Sequence, residues 1–341
     1  MHEPPFRLVA DPPADELLDA AAASHGTRVG LSGLLAERGQ ALRRAWVRGR
    51  ATVGGYRWRT RDNHDRTWWP QGIDVGSHDG GRVVLVSWYA QPVRGIEQGV
   101  RLSVLDLRRP RRARYHHVLL VEPVRDAAGD IRLNPVVVHA GGIAWVEGSV
   151  LVADTFGGLR EFRLNELLRV SNPVFGYEFV LPQLRRVRAV EVSEPRMRFS
   201  FVSIEHGSPH PYLVAGEYRN EGVGDRLVRF ELDGEYRVIA SGAEPDVVHS
   251  PGLWRMQGVC VVDGVWYVTT SNGEWTGGDL WSGTPASGTV SLAAGTMTRH
   301  RHVLPAGPED LAHDRSTGRL WSLSEWPGRR RVFAIDPARL G

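Results

Sequence analysis

The sequence predicts an all-β chain: a five-bladed β-propeller closed by an N-terminal strand, with a short N-terminal helical extension. The first observation is a five-residue phrase that recurs along the chain. It reads QGIDV at 71–75, GGIAW at 141–145 and QGVCV at 257–261, with weaker copies at 199–203 and 309–313. Repetition of one strand–turn–strand unit is typical of propellers.

The spacing of the copies predicts the number of blades. A hydrophobic strand follows each copy by 10 to 14 residues. The copies begin at residues 71, 141, 199, 257 and 309, so the steps are 70, 58, 58 and 52 residues. A blade takes roughly 40 residues. Each step therefore holds one blade, and the chain holds five.

The outer strands of the units predict how the ring closes. Segments 115–121, 177–181, 236–240 and 300–304 carry alternating apolar residues that are typical of half-buried strands. The last unit reaches its third strand at 331–335 and has no room for a fourth. Residues 56–59 can supply it, which removes a free sheet edge and ties the two chain ends together.

Residues 1–55 form the predicted helical extension, and residues 56–341 form the propeller. Segment 14–23 is rich in Ala and Leu, which favour helices. Ser32 is a candidate N-cap, with Leu35, Leu42 and Trp46 at helical spacing behind it. These helices serve either as a stabilising appendage or as a lid over one mouth of the propeller.

Composition narrows the class of protein. All 42 basic residues are arginine, and the formal net charge is only +3. The one basic run, 108–114, lies in a predicted turn without aromatic residues, so neither a nucleic acid nor a membrane is an expected partner. A single cysteine, Cys260, excludes an internal disulfide.

The first residues lack the pattern of a secretory signal, so the expected location is the cytoplasm. The sequence leaves the oligomeric state open.

The entrances of the inner strands predict a site. In a propeller these entrances crowd one mouth of the central channel, where a concave pocket forms. The entrance positions and the positions just ahead of them carry Gln71, Gln257, Glu309, His139, Arg198 and Arg255. This polarity indicates either a binding site or side chains that satisfy backbone groups around the axis.

The ends of the second strands predict the chemistry of that site. They read Trp88-Tyr89, Asp154-Thr155, Glu217-Tyr218, Ser271-Asn272 and Glu325-Trp326. If they face the same mouth, Asp154, Glu217, Glu309 and Glu325 form a cluster of acids with aromatic walls. Crowded carboxylates raise one another's pKa, so that one acts as a general acid and another as a base. Arg198 and Arg255 then act as counterions or anion clamps, or else form salt bridges between blades.

A cofactor is not expected. The sequence contains no HExxH, CxxC, Walker A or GxSxG motif. The carboxylates and Asn272 suit a hard cation, so calcium is the one metal that the residue types allow. No metal site is assigned.

Several phrases are similar to those of a family of actinobacterial five-bladed propeller proteins, many of them exported. They are VSWY at 86–89, HAGG at 139–142, ADT at 153–155, GEY at 216–218, RMQG at 255–258, SNG at 271–273 and GPED at 307–310. The similarity spans about residues 56–336 and implies the propeller fold. It implies no activity. This chain departs from the family in its N-terminal helices and in lacking an export signal.

Two functions follow as hypotheses. The favoured one is a cofactor-independent enzyme that acts by acid–base catalysis on a small organic molecule, by cyclisation, isomerisation or hydrolysis of a natural-product intermediate. Its catalytic acids come from the four carboxylates. The predicted substrate-binding residues are Gln71, Trp88, Tyr89, His139, Arg198, Tyr218, Arg255, Gln257, Ser271, Asn272 and Trp326. The alternative is a non-catalytic propeller that binds a ligand, such as a carbohydrate, or a partner protein.

Overall fold

The computed structural model describes residues 6–191, 196–206, 210–220, 225–235, 237–238, 242–286 and 291–340. It is all-β, with three short α-helices near the N-terminus of the described chain. The first part contains β1 (Phe6–Ala10), α1 (Asp15–His25), β2 (Gly26–Arg28), α2 (Gly30–Ala36), β3 (Gln40–Ala41), β4 (Arg43–Ala45), β5 (Thr52–Arg57) and α3 (Thr60–His64).

The strands that follow form antiparallel groups. In chain order they are β6 (Trp68–His78), β7 (Gly81–Ala90), β8 (Val100–Asp106), β9 (Arg114–Arg125), β10 (Ile131–Pro135), β11 (Ile143–Val146), β12 (Ser149–Asp154), β13 (Gly158–Arg163), β14 (Leu168–Val174), β15 (Tyr177–Glu191), β16 (Phe201–Glu205), β17 (Tyr212–Gly216), β18 (Leu227–Glu231), β19 (Pro245–His249), β20 (Met256–Val262), β21 (Val265–Thr270), β22 (Asp279–Gly283), β23 (Thr298–His300), β24 (Pro308–Asp314), β25 (Arg319–Ser324) and β26 (Val332–Ile335).

The ladder pairings define five groups of four strands in the described residues. Group one is β6–β9, group two is β11, β12, β13 and β15, group three is β16–β19, group four is β20–β23, and group five is β24, β25, β26 and β5. Groups one and two are joined where β15 runs parallel to β9. The first strands of the groups contact one another in a closed order, β6 to β11, β16, β20, β24 and back to β6.

Glycine explains how the first strands approach so closely. A Cβ on Gly142 would lie 2.4 Å from the backbone nitrogen of Val202 in the next group. A Cβ on Gly258 would lie 2.5 Å from the backbone nitrogen of Leu311. Both positions are the glycine of the recurring phrase. Glycine recurs at this position because a side chain there would collide with the backbone of the neighbouring group. The two weaker copies carry Ser200 and Asp310 at the same position.

The hydrophobic core lies between neighbouring groups rather than at one centre. Each cluster of buried apolar side chains is shared by two groups that are adjacent in the ring. For example, Phe201 and Val214 of group three pack with Val259 and Val268 of group four. Cys260 is fully buried in the next cluster, between groups four and five. This layered packing follows from strands whose two faces are both covered.

The pairing of the N-terminal strand with the last group is confirmed. β5 runs antiparallel to β26, with Tyr56 opposite Val332 and Thr52 opposite Ile335. The strand covers Thr52–Arg57, so it begins before the predicted residues 56–59.

Two other outer strands also differ from the prediction. The fourth strand of group three is Pro245–His249 and that of group four is Thr298–His300; of segment 236–240, residues 236, 239 and 240 lie outside the described residues.

The N-terminal region is helical only in part. Helix α1 confirms the Ala-rich prediction, but Ser32 lies inside α2 and is not an N-cap. Leu42 and Trp46 do not continue that helix, because short strands β3 and β4 pair with β9 and β5. Helical spacing was misleading here because Leu42, which is buried, lies between these two short strands while Trp46 is 81% exposed. No helix among the described residues is long and apolar enough to span a membrane.

Candidate functional site

A cavity of about 990 Å³ opens where the first strands of the groups begin. We call it the central cavity. It collects nine of the fifteen predicted site residues. They are Gln71, Tyr89, His139, Asp154, Arg198, Tyr218, Gln257, Glu309 and Glu325, and the other lining residues are Gly141, Thr155, Phe156, Ser200, Arg219 and Asn220.

Two of the predicted acids meet in this cavity. Glu309 is only 3% exposed at the start of β24, and Glu325 follows the end of the neighbouring strand β25. Their carboxyl groups are hydrogen-bonded to each other. Such a contact between two carboxyl groups requires a proton between them. We call Glu309 and Glu325 the acid pair.

Burial dominates the electrostatics of the acid pair. Loss of hydration raises the pKa of Glu309 well above its usual range, and the neighbouring Glu325 raises it further. Burial also raises the pKa of Glu325, to about 7, although its hydrogen bonds to Glu309 and Gln71 counteract the shift. The two groups titrate as a coupled pair. Glu325 therefore loses its proton first, as the pH rises through about 7, and the pair then holds one proton, with Glu309 as the donor to the carboxylate of Glu325.

Two glutamine side chains hold the acid pair in place. Gln257 Nε2 donates a hydrogen bond of 3.3 Å to Glu309 Oε1. The side chain of Gln71 bonds Glu325, and its Nε2 also donates to the backbone oxygen of Pro70 at 3.0 Å. Amide donors can bind a carboxylate without adding a charge. The pair is therefore oriented without a salt bridge that would keep both acids ionised.

The third predicted acid in the cavity has a different environment. Asp154 ends β12, and its Oδ2 accepts a hydrogen bond of 2.9 Å from Arg160 Nε. Arg160 lies on the adjacent strand β13. This ion pair gives the side chain of Asp154 a fixed partner in the cavity wall.

Glu217, the fourth predicted acid, lies outside the cavity. Its side chain is fully buried, with Oε2 2.8 Å from Arg226 Nε and Oε1 2.9 Å from Arg226 Nη2. Its Oε1 also accepts the backbone N–H of Arg198 at 2.9 Å. The carboxylate is therefore saturated by fixed partners, which favours a structural role: it anchors the segment that carries Arg198.

Two predicted aromatic residues are absent from the cavity lining. Trp88 is fully buried, 5.0 Å from Trp58 in an edge-to-face contact, with the Arg101 guanidinium 4.6 Å from its ring centroid. Trp326 packs so closely on Gly307 that a Cβ there would lie 2.3 Å from the indole. Gly307 has a φ of +62°, which explains the glycine at that entrance.

Three predicted polar residues also lie outside the cavity lining. Ser271 Oγ accepts the backbone N–H of Gly273 at 3.3 Å, and Asn272 Nδ2 donates to Gly277 O at 2.9 Å. Both side chains therefore stabilise the loop after β21. Arg255 is exposed with a φ of +57°, and its backbone N–H donates to Arg219 O, beside the cavity, at 2.8 Å.

Neutral and aromatic groups form part of the cavity wall. The rings of Tyr89 and His139 lie 4.3 Å apart. Burial lowers the pKa of His139, so its imidazole is neutral at pH 7. Phe156 is 58% exposed, and the Arg198 guanidinium lies 5.2 Å from its ring centroid. The wall thus offers flat apolar surface beside a cation.

Sequence reasoning missed several lining residues and one central acid. Arg219 and Asn220 directly follow the predicted Tyr218, and Phe156 follows Thr155, so extending each motif by one or two residues would have found them. Asp310 occupies the position of the repeated glycine. Its Oδ2 accepts the backbone N–H of Ile73 at 3.1 Å and that of Ile143 at 3.3 Å, and burial raises its pKa well above the usual range. The sequence did carry a signal for this acid, because an aspartate replaces the repeated glycine at residue 310.

Metal binding has no support from side-chain clusters. Within the described ranges, no group of three or more His, Cys, Asp or Glu side chains is arranged to hold a metal ion. The carboxylates of the cavity are engaged with each other or with arginine.

No protein-family model matches the chain, and no curated protein matches it. Among solved structures, glutaminyl cyclase from Myxococcus xanthus is similar over 87% of this chain and 94% of its own, with 13% sequence identity and a TM-score of 0.37. A GH43_1 enzyme from Xanthomonas citri, solved with xylose, is similar over 84% of this chain and 90% of its own, with 12% identity and a TM-score of 0.41. At these values the likeness supports no inference about what this chain does.

Proposed function

We propose that the chain is a five-bladed propeller enzyme that performs acid–base catalysis on a small organic molecule in the central cavity, without a cofactor. Two features support the propeller: the closed order of contacts between first strands, and a core shared by each pair of adjacent groups. One observation carries the catalytic proposal. The acid pair shares a proton in a cavity large enough for a ligand, and the pKa of Glu325 is raised to about 7.

The acid pair can move a proton in both directions. The carboxylate of Glu325 accepts a proton from one atom of the bound molecule, and Glu309 delivers its proton to another atom of that molecule, so that the pair again holds one proton. A base with a pKa near the working pH is ionised in a substantial fraction of the molecules and still binds a proton strongly enough to remove it from a substrate. Gln71 and Gln257 donate hydrogen bonds throughout, so neither acid has to rotate to a new partner. Isomerisation and cyclisation need this transfer alone, whereas hydrolysis also consumes a water.

The surrounding groups would bind and orient the substrate. Tyr218 and Tyr89 line the cavity with phenol groups, and burial raises the pKa of both, so they stay protonated. His139 is a neutral hydrogen-bonding group on the wall. Among the described residues that line the cavity, the two members of the acid pair are the only carboxylic acids whose pKa is raised toward neutrality.

The test compares three proteins. Wild type, Glu309→Gln and Glu325→Gln are incubated with a panel of small metabolites, and ¹H NMR records which compound changes. We expect a compound that wild type converts and neither variant converts, while both variants keep a melting temperature within a few degrees of wild type. Glu97→Gln, an exposed acid outside the cavity, is the matched control and should convert it normally. Unfolding of Glu309→Gln would instead assign that acid a structural role.

The same panel separates the enzyme from a binding propeller. Compounds that bind without being converted, with equal affinity for wild type and Glu325→Gln, would favour the non-catalytic alternative. Repeating the assay after EDTA treatment tests cofactor independence. Conversion that disappears with EDTA and returns with Ca²⁺ would overturn that part of the proposal.

A further inference from the structure

Two arginines line the central cavity from segments that flank two adjacent strands. Arg198 lies three residues before β16, and Arg219 lies three residues after β17. The ladder between these strands ends where Phe201 is opposite Gly216, so both arginines lie just beyond the same end of the ladder. Two cations that line one cavity repel each other.

Local contacts fix the backbone of both segments. The backbone N–H of Tyr218 donates to Ser200 Oγ at 3.0 Å, and the backbone N–H of Ser200 donates to Gly216 O at 3.0 Å. Glu217 accepts the backbone N–H of Arg198, and the backbone N–H of Arg255 donates to Arg219 O. The fold therefore keeps both cations at the cavity despite their repulsion.

Neither guanidinium is neutralised within the described residues. No carboxylate there forms an ion pair with Arg198 or Arg219, in contrast to Arg160 and Arg226, which pair with Asp154 and Glu217. The Nε of Arg219 is buried and has no hydrogen-bond partner. A buried donor without a partner is costly to the fold. A ligand oxygen in the cavity would satisfy it.

The charges of the cavity lining favour an anion. Asp154 is neutralised by Arg160, His139 is neutral, and the acid pair holds at least one proton near pH 7, so the pair carries at most one negative charge. Arg198 and Arg219 add two positive charges. The lining therefore keeps a net positive charge on the side of the two arginines. Phe156, beside Arg198, offers an apolar face for a flat group.

We propose that Arg198 and Arg219 together bind an oxyanion, a carboxylate or a phosphate, and that the molecule taken by this cavity is a small organic anion with a flat portion against Phe156. The inference rests on the proposed function only in treating that molecule as the substrate of the acid pair. Paired guanidinium groups suit carboxylate and phosphate because both present several oxygens to the N–H donors.

The test is isothermal titration calorimetry with three probes: benzoate, phenyl phosphate and the neutral isostere benzamide. We expect both anions to bind wild type at least about tenfold more tightly than benzamide, since a hydrogen bond to a charged group contributes about 1.5–3 kcal/mol. The tighter of the two anions identifies which oxyanion the site prefers. Equal binding of benzoate and benzamide, or no saturable binding of either anion, would overturn the inference.

Matched variants locate the binding. Arg198→Gln and Arg219→Gln should each weaken the preferred anion about tenfold or more and leave benzamide unchanged. Arg111→Gln, which removes an exposed arginine from the basic run, should leave all three probes unchanged. Anion affinity that survives both cavity substitutions would refute the assignment. If a variant does not fold, wild-type crystals soaked with the preferred anion decide instead: its oxygens must lie within hydrogen-bond distance of both guanidinium groups.

The outcomes separate this inference from the proposed function. Arginine-independent anion binding, together with loss of conversion in Glu325→Gln, would overturn the oxyanion site and leave the acid pair standing. Arginine-dependent binding, together with full conversion in both acid-pair variants, would overturn the catalytic proposal and leave the oxyanion site standing.

Discussion

Replacement of Glu325 by glutamine should change how the stability of the protein depends on pH. Burial raises the pKa of Glu325 to about 7 from an ordinary value of 4.5. A carboxyl group whose pKa is raised by folding binds its proton more tightly in the folded state. The stability it contributes is therefore present at low pH and is lost as the pH rises from 4.5 through 7. Glutamine has nearly the same shape and no such dependence.

The size of the effect follows from the shift. A difference of about 2.5 pKa units corresponds to about 3 kcal/mol at 1.36 kcal/mol per unit. Between pH 4 and pH 8 the free energy of unfolding of Glu325→Gln should therefore rise by about 3 kcal/mol relative to wild type. Loss of the Glu325 charge also lowers the pKa of Glu309 toward its usual range, which acts in the same direction.

Urea denaturation at pH 4, 5, 6, 7 and 8 measures this difference, and the 12 tryptophans provide a fluorescence signal. Glu97→Gln is again the control, because an exposed carboxyl group should show a difference from wild type that stays constant over this range. A constant difference for Glu325→Gln as well would refute the raised pKa, and with it the shared proton.

Three further outcomes are expected. Gly142→Ala should destabilise the fold by about 1–3 kcal/mol in urea denaturation because its Cβ meets backbone of the next group. Gly148→Ala, with no atom within 4 Å of its Cβ, should not, and equal stability of the two would argue against the close ring. Glu217→Gln should cost about 3 kcal/mol by the same assay, since it replaces the buried carboxylate that pairs with Arg226 by a neutral amide; a loss near zero would remove the anchoring role. Cys260 should resist a thiol reagent until urea unfolds the chain, because it is buried and its pKa is raised. Labelling of the native protein would contradict that burial.

The recurrence of the five-residue phrase and the spacing of its copies were sufficient to locate the first strand of each group. The recurring phrase located the first strand of every group, and the missing outer strand of group five correctly indicated that an N-terminal strand pairs with β26. Helical spacing failed at residues 42–46, where short strands replaced a helix because tertiary pairing outweighed local propensity. The cytoplasmic location, the lack of a cofactor and the domain boundary at residue 55 stay predictions.

The sequence by itself located the first strand of every group, because three of these strands carry the repeated glycine and two carry weaker copies of the phrase. It could not decide which partner each side chain takes at the strand ends. Glu217 and Glu325 occupy equivalent strand ends, yet one is saturated by Arg226 and the other shares a proton with Glu309. Only the tertiary structure shows these pairings, and only it places Arg198 and Arg219 in the lining of one cavity. The physical reason is that a strand pattern specifies the face on which a side chain lies, whereas the charge it meets depends on how loops and neighbouring strands place other side chains around it.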